Sequence, residues 1–142
     1  MSNFGVVVFF TVLALCCMSQ PLICNAYQIH IENQFQRALL GVHCQSKDND
    51  LGLHLISAHS EFSWVFSGNF FRTTLFFCNL TWEGGHQSFI AFKYDNGFLK
   101  KYCPHPNSEC RWRTHEDGIY AYNFGTQNYD LMYKWQPNPI RT

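Results

Sequence analysis

A chain of 142 residues has room for one domain, and its ten Lys plus Arg balance its ten Asp plus Glu, so no net charge marks it for nucleic acid or an anionic membrane. Aromatic residues make up 18% and charged residues only 14%, which excludes a disordered chain and supplies ample core material.

The first charged side chain is Glu32. Ahead of it, Phe4 to Cys17 is an apolar run of about 14 residues, followed by the polar break Ser19-Gln20-Pro21 and the small-residue site Cys24-Asn25-Ala26. A run this short reads as a secretory signal peptide over residues 1–26, cleaved after Ala26, rather than as a membrane anchor. The n-region carries no Lys or Arg, which is unusual for a signal peptide. No second apolar stretch approaches the about 18 residues that a helical span needs, so no membrane insertion is expected after cleavage. Residues 27–142 then form the domain.

Cleavage removes Cys16, Cys17 and Cys24 and leaves Cys44, Cys78, Cys103 and Cys110. Four cysteines in an exported domain imply two disulfides, with three connectivities open. Cys44–Cys110 with Cys78–Cys103 is preferred, because each bond would tie distant strands, whereas Cys103–Cys110 closes only a short loop.

The first strand is Tyr27 to Asn33, with Tyr27, Ile29 and Ile31 inward and His30 on the solvent side. Ala38 to Cys44 follows, with Leu40, Val42 and Cys44 on one face. Residues 45–52 are a polar loop closed by Gly52, and Leu53, Leu55 and Ile56 resume an apolar segment. Glu61 to Phe66 places Phe62, Trp64 and Phe66 together, and Ser67-Gly68-Asn69 ends it. Thr73 to Trp82 has no Gly, Pro or charge and is rich in β-branched and aromatic residues, the signature of a central strand. Alternation aims Phe76, Cys78 and Leu80 at the core and Leu75, Phe77, Asn79 and Thr81 away from it. Asn79-Leu80-Thr81 is an N-x-Thr glycosylation acceptor, usable if Asn79 enters the secretory pathway and faces outward.

Glu83-Gly84-Gly85-His86 signals a hairpin into a strand from Gln87 to Tyr94, where Phe89 and Ala91 oppose Ile90 and Phe92. Asp95-Asn96-Gly97 reads as a second hairpin turn leading to a short strand from Phe98 to Tyr102. The segment 103–110 holds two Pro and is a loop. Arg111 to His115 alternates with Trp112 inward, Glu116-Asp117-Gly118 turns, and residues 119–124 return. Tyr129 to Trp135 is the last strand, and Pro137 and Pro139 mark a loose tail. About eight short strands with regular turn signals read as an all-β, single-domain antiparallel sandwich crosslinked by disulfides.

Seven His invite a search for chemistry. His43-Cys44 and Cys103-x-His105 come nearest to metal-ligand spacing, but the cysteines are better spent as disulfides. His43 with Asp48 and Asp50, or His115 with Glu116 and Asp117, offers acid–base pairs for a secreted hydrolase or ribonuclease. Nothing in the spacing makes either set converge. The loop Lys47-Asp48-Asn49-Asp50 lacks the third carboxylate and distal Glu of an EF-hand, so its acids read as turn residues. No catalytic residue, cofactor or metal is therefore expected.

Three stretches together resemble the plant self-incompatibility protein family, the S-protein homologues. They are Val42 to Gly52 (VHCQSKDNDLG), Thr73 to Cys78 (TTLFFC), and Cys110-Arg111-Trp112 followed by Glu116-Asp117-Gly118-Ile119-Tyr120. The resemblance runs from about Tyr27 to Trp135 and includes the leader and the four remaining cysteines. Gln45 departs from it, since the family more often has a basic residue there, as does the charged Arg113-Thr114-His115 segment. What the resemblance implies is a small secreted β-sandwich without enzymatic activity. The best-known members act as stigma-borne ligands that trigger rejection of self pollen through a pollen receptor. The expectation is a monomeric extracellular ligand for a cell-surface protein receptor, read through loops that vary without disturbing the core. The residues expected to face that receptor are Lys47, Asp48, Asn49, Asp50, His86, Asn96, His105, Asn107, Glu116 and Asp117. A secreted hydrolase or ribonuclease, or a carbohydrate-binding domain using exposed Tyr and Trp, stands as the alternative.

Overall fold

The computed structural model describes residues 26–69 and 71–140. The expected leader, with Cys16, Cys17 and Cys24, lies outside the described residues apart from Ala26. Among the described residues nine strands and one helix follow in order: β1 Ala26–Asn33, β2 Leu40–Gln45, β3 Asp50–Ile56, β4 Glu61–Ser67, β5 Phe76–Trp82, β6 Gly85–Phe92, α1 Asn96–Tyr102, β7 Glu109–His115, β8 Gly118–Asn123 and β9 Asn128–Tyr133. One sheet has the order β4-β1-β7-β8-β9 and the other β3-β2-β5-β6. The expected all-β sandwich is present, with one departure from antiparallel pairing. β1 and β7 run parallel, Ile29 opposite Cys110 and Ile31 opposite Trp112. A parallel pair needs a long connection, and here most of the domain supplies it.

Alternating apolar residues explain the two inner faces. Ile29 and Ile31 on β1, Leu40 and Val42 on β2, and Cys78 and Leu80 on β5 are fully buried. Aromatic rings join the layers: Phe66 of β4 lies 4.7 Å from Phe76 of β5, and Trp112 of β7 lies 4.6 Å from Phe89 of β6. The alternation expected along β6 fails at one place. Phe76 pairs with Phe92 but Phe77 pairs with Ile90, so Ala91 is an extra residue. That bulge turns both Ala91 and Phe92 into the core and leaves Ile90 outside.

The segment expected as a strand at 98–102 is α1, and residues 95–97 are its start rather than a hairpin turn. Asp95, in extended conformation, accepts a hydrogen bond from the Phe98 N–H and caps the helix. Lys100 and Lys101 in the last turn suit the negative end of its dipole. Replacing this cap, Asp95→Ala, should lower the unfolding free energy by about 1 kcal/mol in denaturant titration.

The disulfides also differ from the preferred pairing. Cys44 is bonded to Cys78 and Cys103 to Cys110, not Cys44 to Cys110 and Cys78 to Cys103. Strand order decides it. Cys44 and Cys78 sit opposite each other on the adjacent strands β2 and β5, with Cα atoms 4.0 Å apart. Cys103 caps the C-terminal end of α1 and Cys110 is the second residue of β7, 4.7 Å between Cα atoms.

Two further expectations change. His30 is 6% exposed, not on the solvent side, because β1 is flanked by β4 and β7. Glu61 approaches its Nδ1 at 3.3 Å and Glu109 its Nε2 at 3.4 Å, so two carboxylates close over the ring. The C-terminal tail is pinned rather than loose. Gln136 exchanges two backbone hydrogen bonds with His86, extending the β6 edge by one bridge. Gly85 permits this approach, since a Cβ there would lie 2.6 Å from the Gln136 carbonyl. Asn138 then donates to the carbonyl of Trp82 at the hairpin tip.

Candidate functional site

Strand directions sort the loops between the two ends of the sandwich. The β2–β3 turn, the β4–β5 loop, the α1–β7 loop and the β8–β9 turn gather where β1 begins. The β5–β6 and β7–β8 hairpins and the tail gather where β1 ends. The ten expected receptor-facing residues are thus not one cluster. Lys47, Asp48, Asn49, Asp50, Asn96, His105 and Asn107 share the first end, while His86, Glu116 and Asp117 lie at the second.

The residues at the second end are tied up internally. His86 meets the side chain of Asn138, Glu116 accepts from the Gln36 N–H, and Asp117 accepts from the Tyr120 hydroxyl. At the first end the structural duties fall on a few side chains. The Ser46 N–H donates to the Asn49 carbonyl, and the Asn49 N–H donates back to the Ser46 hydroxyl. Asp50 accepts from the Gly52 N–H and pairs with His43 at 2.6 Å. His105 meets the Ser108 hydroxyl at 2.8 Å and the Tyr27 hydroxyl at 3.3 Å. Lys47 and Asp48 are exposed, and neither makes a hydrogen bond or ion pair among the described residues. They stand on the rim of a cleft of about 390 Å³ between the β2–β3 turn and the β4–β5 loop.

The far wall of that cleft was missed in the sequence, where Ser67-Gly68-Asn69 read only as a strand end. Asn69 accepts from the Thr73 N–H with its side-chain oxygen, donates to the Thr73 hydroxyl with its side-chain amide, and donates its own backbone N–H to the Thr74 hydroxyl. An Asn followed four and five residues later by Thr was the available signal.

Of the two acid–base sets, one converges. His43 and Asp50 meet across β2 and β3, and neither bonds a side-chain hydroxyl or thiol among the described residues. The pair acts as a clamp at the mouth of the β2–β3 turn. His115 packs edge-on against Tyr120, and its two acidic neighbours are engaged elsewhere. No group of three His, Cys, Asp or Glu able to hold a metal is found among the described residues. Arg113 donates to Glu32 and lies 4.0 Å over the Tyr129 ring, and Arg111 donates to Glu109. The Trp residues pack against or within the core, Tyr120, Tyr122 and Tyr129 are half-buried, and Phe71 and Phe77 are exposed.

Asp50's carboxyl is held below the ordinary carboxylate range, chiefly by the Gly52 N–H and next by His43. A depressed value in the folded chain means the contact favours folding above the unfolded value and fades only as pH falls through the lower, folded one. In a carbon-detected titration Asp50 should therefore titrate below the usual ~3.9. His43→Ala should move it only part of the way back, since the Gly52 bond remains.

A family model described as plant self-incompatibility protein S1 matches residues 28–135. S-protein homolog 24 of Arabidopsis thaliana is 31% identical over 118 residues, covering 82% of this chain and 73% of that protein. S-protein homolog 6 of the same plant is 36% identical over 101 residues, 68% of each. Self-incompatibility protein S1 of Papaver rhoeas is 34% identical over 88 residues, 59% of this chain and 58% of its own length. Among solved structures, a self-incompatibility protein homologue superposes with a TM-score of 0.54 at 18% identity, over 82% of this chain and 93% of that one. It is described as one of a widespread family of small, highly stable, secreted plant proteins. No helix among the described residues is long and apolar enough to cross a membrane.

Proposed function

Given that the chain belongs to the plant self-incompatibility protein S1 family, we propose that it is a non-enzymatic extracellular ligand for a cell-surface protein, recognised through the loops where β1 begins. The observation that carries this reading is the division of labour in the β2–β3 turn. Ser46, Asn49 and Asp50 hold the turn, leaving the exposed charges of Lys47 and Asp48 uncommitted beside a cleft. A rigid scaffold with free charges at its rim is suited to steering and orienting a protein partner. Exposed Asn96 and Asn107 lie at the same end and extend the surface. Rejection of self pollen is one process such a ligand would serve.

The test is binding of the oxidised domain to intact plant cells or to receptor ectodomains. Exchanging the charges, Lys47→Glu with Asp48→Lys, should weaken binding at least about tenfold, or roughly 1.4 kcal/mol. The same exchange of Glu116 and Asp117 for lysines should leave binding unchanged. Binding indifferent to the first pair, or turnover of RNA or glycosides abolished by His43→Ala, would overturn the proposal.

A further inference from the structure

Among the described residues no strand or helix packs on the outer face of the β3-β2-β5-β6 sheet, yet that face carries exposed apolar side chains. Leu53 and Leu55 of β3 are 65% and 67% exposed, and Leu39, Phe77 and Ile90 are exposed as well. Register places these residues in three rows across the sheet. One runs Leu55, Gly41, Thr81, His86; the next Leu53, His43, Asn79, Ser88; the third passes through Gln45, Phe77 and Ile90. The exposed leucines of β3 and the exposed Phe77–Ile90 pair, on either side of His43 and Asn79, call for a cover on an extracellular domain. Beside that face, β3 is an edge strand with leucines facing outward, a template for pairing with another copy.

Asn79 stands at the middle row of that face, with Phe77 two residues before it and Thr81 two after on the same side. The hydroxyl of Ser88 donates to Asn79 Oδ1. Nδ2, the atom that would carry a sugar, makes no hydrogen bond among the described residues. Gly41 keeps room for the Thr81 hydroxyl, since a Cβ there would lie 2.5 Å from it. All three elements of the acceptor are thus compatible with the folded sheet after modification. We propose that Asn79 carries an N-linked glycan whose inner sugars lie over Phe77 and the neighbouring leucines and cover this face.

The modification rests on export, as does the ligand reading. In chemical terms, Asn79 Nδ2 attacks the anomeric carbon of an oligosaccharide held on a lipid pyrophosphate. A C–N bond forms, the anomeric C–O bond breaks, lipid pyrophosphate leaves, and the nitrogen gives up one proton to a base; no oxidation or reduction occurs. β5 is hydrogen-bonded on both sides, to β2 and β6, so transfer precedes strand pairing. The glycan then stays outside, because Asn79 faces away from the core. It confines protein partners to the loop ends and to the other sheet.

Full-length chain expressed in plant cells tests this directly. Peptide mass spectrometry of the product in the medium, before and after peptide-N-glycosidase, should show glycan on Asn79 and its conversion to Asp on release. Thr81→Ala should abolish it. Product in the medium with Asn79 bare overturns the glycan and leaves export standing; product retained in the cytosol with residues 1–26 attached overturns both. Removing the glycan from the folded protein should promote self-association at concentrations about tenfold lower, seen by sedimentation. Leu53→Lys with Leu55→Lys should reverse that. A deglycosylated protein as monodisperse as the original overturns the covering role.

Discussion

Trp112→Ala should lower the unfolding free energy by about 4 kcal/mol, within the range for loss of a buried aromatic. Two features of the site produce that figure. The indole is 1% exposed and lies between the sheets, 4.6 Å from Phe89 and within 6.5 Å of Phe98 and Tyr133, so truncation leaves a cavity that rigid strands cannot close. Its Nε1 donates to the carbonyl of Ala91, the residue that the bulge in β6 takes out of register. Truncation therefore also removes a hydrogen bond from a backbone group in the dry interior. Trp112→Phe separates the two effects: it keeps most of the packing and should lose about 1–3 kcal/mol for the missing donor and the smaller ring. Guanidinium unfolding of the three proteins checks the order. Equal stability of Trp112→Ala and the parent would show that Trp112 does not bridge the sheets.

The double variant Cys44→Ala with Cys78→Ala should be the other severe lesion, about 4 kcal/mol less stable, because the bond closes a loop of 34 residues in the unfolded chain. Cys103→Ala with Cys110→Ala opens a loop of only 7 and should cost about 2 kcal/mol in the same model. For a domain of this size the first change corresponds to a fall of roughly 15 °C in Tm. The unequal pair is itself diagnostic. Had the bonds been Cys44–Cys110 and Cys78–Cys103, breaking either would open a long loop, and the two costs would be similar. Non-reducing peptide mapping should join Cys44 to Cys78; a fragment joining Cys44 to Cys110 sinks the assignment.

Alternation made β1, β2, β5 and β7 readable, since Ile29, Val42, Leu80 and Trp112 each fall on the face that their spacing assigns. Whatever depended on neighbours distant in sequence was not. His30 alternates correctly, yet its burial comes from Glu61 and Glu109 on flanking strands that no local window contains. The disulfides needed the strand order, which brings Cys44 opposite Cys78. Asp95-Asn96-Gly97 suits both a hairpin turn and a capped helix start, and only the packing of Phe98 and Tyr102 against the core resolves it. In the candidate site, the Lys47-Asp48 turn was legible as a polar loop. That His86, Glu116 and Asp117 belong to the opposite end, with their side chains engaged, follows from topology alone.

The parallel pairing of β1 with β7 sets a schedule for the nascent polypeptide. The four strands of the β3-β2-β5-β6 sheet lie within residues 40–92 and can assemble as soon as that stretch is free to fold. β1, although synthesised before them, can gain only β4 by then; its other side waits for Glu109 to Thr114. During that interval Ile29 and Ile31 lack half their lid, and such late, sequence-distant closure is slow and exposed to misassembly. A ribosome pause before β7 is free should therefore leave a half-built intermediate that chaperones hold, with release timed by completion of the C-terminal third.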